Sequence, residues 1–191
     1  MKFYIPNSIS SEIRKKLGYV KIRKIKVITH PNSIKDECLE NVRSYIANHQ
    51  GEVQFGWKFS LLGNVILRLI AHAVVKKENN DLICISPNED LKEINFLPDN
   101  SIKNMIEGKY LPGKHLSLSK NKNIKEYALL LDKAEKVKFE FLPENFQIEL
   151  DRINSKASFY LPTVYSESIK ITKMDECCYC GSGILRAFCH Q

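Results

Sequence analysis

The chain has 191 residues, 43% of them hydrophobic, and carries 29 Lys and Arg against 22 Asp and Glu for a net charge of +7. That length supplies one ordinary core plus a small appendage, and no apolar run approaches the ~18 residues of a membrane span. The opening MKFYIPNSIS lacks the apolar stretch and cleavage site of a secretory signal, so a soluble, cytoplasmic protein is expected, and sparse Gly and Pro exclude low-complexity classes.

The charge is unevenly placed. Residues 1–30 hold eight Lys and Arg against one Glu, and the rest of the chain balances at twenty-one of each sign. A short helix is expected from Ser11 to Leu17, stopped at Gly18, followed by a strand through Val27. Val20 and Ile22 alternate on one face and Ile25 and Val27 on the other, which calls for a change of face or a bulge near Arg23–Lys24. A bulge would gather Lys21, Arg23 and Lys26 into a contact surface for nucleic-acid phosphate or an acidic protein. A solvated edge strand protected by Lys accounts for the same residues, and no aromatics interleave them to stack single-stranded bases.

The segment NSIKDECLENVRSYIANHQG predicts a helix, with Ser33 and Asp36 as a capping box and Gly51 as its end. Ile34, Cys38, Val42, Tyr45 and Ile46 then share a stripe, placing Cys38 in the first two turns and near the buried face. A helix N-terminus favours a thiolate, so this is a position for a nucleophile, although buried structural cysteines are equally at home there. Trp57, the only Trp, follows Gly56 and reads as a core anchor at a strand start or a substrate platform.

NVILRLIAHAVVKK, ENND and LICISP then predict a β-hairpin. His72 lies within its first strand. A Cys at a helix start followed by a His on a strand is the chain order of papain-like sites, in which imidazole takes the thiol proton and a third polar group orients the ring. Loop parity decides the third group: a three-residue loop at 78–80 pairs His72 with Ser86 and puts Cys84 on the same face, whereas an even loop pairs His72 with Pro87. Ser86 is the candidate for the third group, with Asn88 and Asp90 as alternatives. Downstream, NIKEYALLLDKAEKVK predicts a helix, and VKFEF, FQIEL and ASFYLPTVY read as strand-like runs before a linker at 166–174.

Four of the six cysteines lie at 177–189, and Cys178, Cys180, Cys189 and His190 form C-x-C-x8-C-H. Three thiolates and one imidazole are the tetrahedral donor set of a closed structural Zn²⁺ site, with no open position for substrate. Metal binding would fold so short a stretch, and Cys177 either replaces Cys178 or stands beside the site. The C178-Y-C-G-S-G and C189-H190 elements resemble the SEC-C motif, a zinc-binding tail, which implies a device for docking other macromolecules.

A wider pattern, C38-x-x-N41-V42, G51-E52-x-x-x-G56-W57, H72-A73-V74, I85-S86-P87 and F96-L97-P98-D99, resembles in order a group of little-characterised bacterial and phage-borne proteins, several ending in the same tail. The resemblance implies a papain-like or transglutaminase-like α+β fold with Cys38 as nucleophile and His72 as base. Cys84 stands where the pattern has Asp, Val75 where it has Trp, and Gln50 replaces one Gly of a pair. The expectation is a cysteine-dependent hydrolase or acyl-transferase acting on peptide, isopeptide or side-chain amide bonds, with catalytic Cys38, His72 and Ser86. The alternative is a catalytically inactive zinc-containing adaptor for an acidic protein or nucleic acid. The expected organisation is a basic segment (1–30) belonging to an α+β cysteine-site domain (31–165), a linker (166–174) and the zinc tail (175–191).

Overall fold

A computed structural model describes residues 1–6, 9–88, 91–106, 111–140 and 143–190. The elements are α1 (Ser11–Lys16), β1 (Arg23–Val27), α2 (Cys38–Ile46), β2 (Glu52–Leu62), β3 (Ile66–Lys76), β4 (Leu82–Cys84), β5 (Glu93–Pro98), β6 (Gly113–Ser117), α3 (Lys122–Glu140), α4 (Pro143–Ser158), α5 (Leu161–Ile171) and α6 (Arg186–Cys189). The fold is mixed helix and sheet. Two compact units emerge: one of residues 1–19, 59–69 and 113–191, the other of residues 20–58 and 70–112, so that β2 and β3 each contribute to both.

In the second unit the strand order is β2-β5-β1-β4-β3. β1 runs antiparallel to β5, with Ile25 opposite Ile94, and parallel to β4, with Val27 opposite Cys84. The basic strand is therefore flanked on both sides and is not an edge. Of the two arrangements expected near Arg23–Lys24, a change of face or a bulge, the bulge is absent: Arg23 pairs with Phe96 and Lys24 with Asn95 without interruption, the strand begins at Arg23 with Val20 outside and exposed, and Ile25 alone is fully buried. Ile25, Val74, Leu82, Cys84, Ile94 and Phe96 form the core here.

The hairpin register follows the odd-loop expectation. Val75 pairs with Ile83 and Lys76 with Leu82, and the Lys77 amide donates to the Asp81 carbonyl across the loop. Continuing that register puts His72 opposite Ser86 and Cys84 on His72's face.

α2 starts later than the capping box implied. Its N-cap is Glu37, without a side-chain cap, and Asp36 adopts φ 64°, which a helical residue cannot. The preceding loop is instead pinned by Asn41: its Oδ1 accepts from the Ile34 amide at 2.8 Å and its Nδ2 donates to the Ile34 carbonyl at 2.7 Å. Cys38 thereby becomes the first helical residue.

Trp57 is buried, and its Nε1 donates to Asp99 Oδ2 at 2.9 Å. The other oxygen, Oδ1, accepts from the Ser101 amide and hydroxyl at 2.9 and 2.6 Å. The Ser101 hydroxyl first, with Trp57 and the Ser101 amide adding to it, holds the Asp99 carboxyl below its ordinary range against the opposing effect of burial. Because the folded-state pKa is depressed, this stabilisation is present above the unfolded pKa and is lost as pH falls through the folded one. Asp99→Asn is expected to cost about 1 kcal/mol at neutral pH and to flatten the acid limb of the stability profile. Urea midpoints at pH 7 and in acid measure this, and parallel wild-type and variant profiles would refute it.

In the first unit, Leu62, Val65, Ile66, Ile124, Tyr127, Ala128, Ala157 and Val164 form the core, with Phe3 and Tyr160 packed against it. β6 lies beside β3, and Tyr4 bridges to Leu61. Three strand expectations fail here. Residues 137–140 end α3 (Phe141 lies outside the described residues), FQIEL belongs to α4, and ASFYLPTVY spans the end of α4 and the start of α5. Five-residue alternation cannot separate strand from helix. The spacing of buried positions decides for helix: Ile153 and Ala157 in α4, Val164 and Ser168 in α5, each four apart. Among the described residues no helix is long and apolar enough to cross a membrane.

Candidate functional site

Two constellations carry chemistry, one in each unit. In the first unit the metal-type side chains of the tail converge. One ligand atom from each of Cys178, Cys180, Cys189 and His190 lies within 4.8 Å of all the others, so the cluster can hold a metal ion. The Cys178 amide donates to the Ile184 carbonyl at 2.8 Å and Gly181 to Cys178 at 3.0 Å, folding the first two ligands into a knuckle, while α6 delivers Cys189. Cys177 instead bridges to Leu185 and stays out of the cluster.

Gly181, at φ 81°, could not be replaced without strain: a Cβ there would meet the Lys2 carbonyl at 2.4 Å. The Lys2 amide donates to the Cys180 carbonyl at 3.1 Å, tying the knuckle to the N-terminus. Tyr179 stacks on His190 with centroids 5.1 Å apart and meets Tyr165 edge-on.

Burial raises the Cys178 thiol to about 11. At Cys180 burial acts the same way, but the hydroxyl and amide of Ser182 and the neighbouring Cys178 and Cys189 outweigh it and bring the thiol down to about 6. A ready thiolate among donors of this kind suits a soft divalent cation.

The second unit holds Cys38, His72 and Ser86. All three are buried, with Cys38 8% and His72 3% exposed. Cys38, at the N-terminus of α2, lies near β3, where the Ala73 amide acts to lower its thiol's pKa. Ala73 is next to His72 along β3, while the hydrogen bond of the His72 ring goes to Cys84 and not to Cys38.

The imidazole itself reaches elsewhere: His72 Nε2 lies 3.1 Å from Cys84 Sγ. Asn88 Nδ2 donates to the same sulfur at 3.4 Å, and Lys58 Nζ donates to Asn88 Oδ1 at 3.2 Å. Ser86 is brought to the site, but its hydroxyl accepts from Asn41 Nδ2 at 3.1 Å. Asp90, the other alternative for this role, lies outside the described residues.

Burial raises the Cys38 thiol above its ordinary range. The Ala73 amide and the Lys58 charge pull it back, while Cys84 adds to the rise. Burial also drives His72 well below the usual imidazole range, with Lys58 acting in the same direction. The helix N-terminus thus loses to desolvation at Cys38, and the thiol and the imidazole each rest neutral.

Lys58 and Asn41 escaped the reading of roles from sequence. A single charge inside the buried run FGWKFSLL was the available signal, since Lys is almost never fully buried without a partner. Comparisons with known protein families, with curated proteins and with solved structures find no match.

Proposed function

We propose that this protein is a cysteine-dependent hydrolase or acyl-transferase acting on peptide, isopeptide or side-chain amide bonds. The observation that supports the reading is the delivery of Cys38, first residue of α2, to the Ala73 amide beside His72, whose ring is tied in turn to the next strand. Because both groups rest neutral, His72 acts as a general base during attack, without a preformed ion pair. The Cys38 sulfur bonds to the carbonyl carbon as its proton passes to His72. The C–N bond then breaks, the amine leaves with that proton, and water or an acceptor amine resolves the thioester. The Cys38 amide, which has no acceptor within its helix, contributes to the oxyanion hole.

In this reading the tail is a SEC-C-like structural zinc site. Its donor set fits Zn²⁺ with all four positions taken by protein, so the metal supplies rigidity and a surface for docking a macromolecular partner or substrate. A second reading, an inactive zinc-stapled adaptor, draws support from the burial of His72 and from a thiol at the place of the orienting carboxylate.

Alkylation of Cys38 by iodoacetamide in zinc-loaded protein separates the two. Because the thiol pKa is raised, the rate is expected to climb with pH beyond neutrality without an early plateau, and His72→Ala is expected to lower it roughly 100-fold. Mass mapping that finds Cys38 no more reactive than Cys84, or indifferent to His72→Ala, would overturn the enzyme reading.

A further inference from the structure

Among the described residues, the only hydrogen-bond partner of the buried His72 ring is Cys84, through Nε2. We propose that Cys84 is the positioning residue of this site: its sulfur accepts Nε2–H of His72, holding the ring in the Nε2–H tautomer and leaving the Nδ1 lone pair as the proton acceptor. The proposal rests on the acyl-transfer reading for its consequence, but the tautomer is independent of it.

Two tautomers are compatible with a sulfur 3.1 Å from Nε2, because either the ring N–H or the thiol S–H can donate. Three contacts select between them. The Cys84 thiol already has an acceptor for its own proton, the Ser86 carbonyl at 3.8 Å. Its sulfur already receives the Asn88 amide at 3.4 Å, so its lone pairs face donors. Asn88 is held in that orientation because its oxygen is engaged by Lys58, which leaves only the NH₂ end for the sulfur.

The ring's own accounting agrees. With one hydrogen bond available among the described residues, an Nδ1–H tautomer would leave its N–H without a protein partner, whereas the Nε2–H tautomer leaves only an unpaired acceptor, the smaller penalty. A thiol therefore fills the part that a carboxylate would otherwise play. It orients the ring but contributes no full negative charge to stabilise an imidazolium, consistent with a histidine that stays neutral at rest.

The direct test is nitrogen-15 NMR of histidine-labelled, zinc-loaded protein, with the His72 ring assigned by its disappearance in His72→Gln. The expected wild-type pattern is a single Nε2–H tautomer that does not titrate between pH 6 and 8. Cys84→Val keeps the buried volume and removes the acceptor, so the ring is expected to shift to the Nδ1–H form or an averaged mixture. Cys84→Ser is expected to restore Nε2–H.

Parallel Cys38 alkylation rates should fall roughly 10- to 100-fold in Cys84→Val and recover in Cys84→Ser. A wild-type Nδ1–H tautomer overturns the proposal even if the valine variant does not fold, as does an unchanged tautomer in that variant. If the tautomer behaves as expected while Cys38 reacts equally in all variants, the positioning role stands and the acyl-transfer reading falls.

Discussion

Replacing Cys180 by Ser is expected to lower bound zinc from about one ion per chain to near zero and to unfold the tail, while Cys177→Ser leaves the metal content unchanged. The contrast between adjacent thiols is what makes the test sharp. Cys178, Cys180, Cys189 and His190 converge within 4.8 Å, but Cys177 is held away by its bridge to Leu185. In a segment with so little core, metal affinity is folding free energy, on the order of 10 kcal/mol or more for a structural Zn²⁺ at neutral pH.

No rearrangement of local packing replaces that. Only Cys178 and Tyr179 of the tail's hydrophobic side chains are fully buried, and Ile184, Leu185 and Phe188 remain exposed. Metal analysis of purified protein, with limited proteolysis of residues 175–190 before and after chelation, reads both effects. Stoichiometric zinc in Cys180→Ser would refute the ligand assignment, and zinc loss in Cys177→Ser would show that the wrong thiol of the adjacent pair has been placed in the site.

The tail was legible in the sequence because its geometry is local. Three thiols and an imidazole within thirteen residues, with glycines between them, converge almost whatever the rest of the chain does. The hairpin was legible for a similar reason, but its register was left between an odd and an even loop; the three residues between Lys77 and Asp81 pair Val75 with Ile83 and carry His72 to Ser86's level.

What could not be read depended on distant partners. The start of α2 is set by Asn41 reaching back to Ile34, a contact that outweighs the Ser33–Asp36 cap signal. The identity of the group on His72 turned on side-chain orientation: register puts Ser86 directly opposite His72 and Cys84 diagonally on the same face, yet Asn41 holds the Ser86 hydroxyl and the ring reaches the Cys84 sulfur. In the C-terminal third, alternation over five residues favoured strands, but burial every fourth residue along α4 and α5 shows that packing follows the helical period.

The second large effect is expected at Gly56. Gly56→Ala should cost about 3 kcal/mol, because a Cβ there would lie 2.3 Å from Phe96 Cζ and 2.4 Å from the Leu97 carbonyl oxygen. Gly56 sits in β2 opposite Pro98 of β5, and Phe96, with no exposed surface, is part of the core that includes Cys84 and Val74. The ring of Phe96 therefore occupies the space left by the missing side chain, and displacing it presses on the cluster that holds the Cys84 thiol. Phe96→Leu alone is destabilising through lost burial, yet it removes the ring atoms that collide with the new methyl. The double variant Gly56→Ala/Phe96→Leu should thus be less destabilised than the two single changes added together, by between about 0.5 and 3 kcal/mol. The relief is partial, because the Leu97 carbonyl is backbone and remains in place. Urea unfolding of the four proteins measures the coupling, and additivity within about 0.5 kcal/mol would mean that the backbone contact, not the aromatic ring, is what demands glycine at this position.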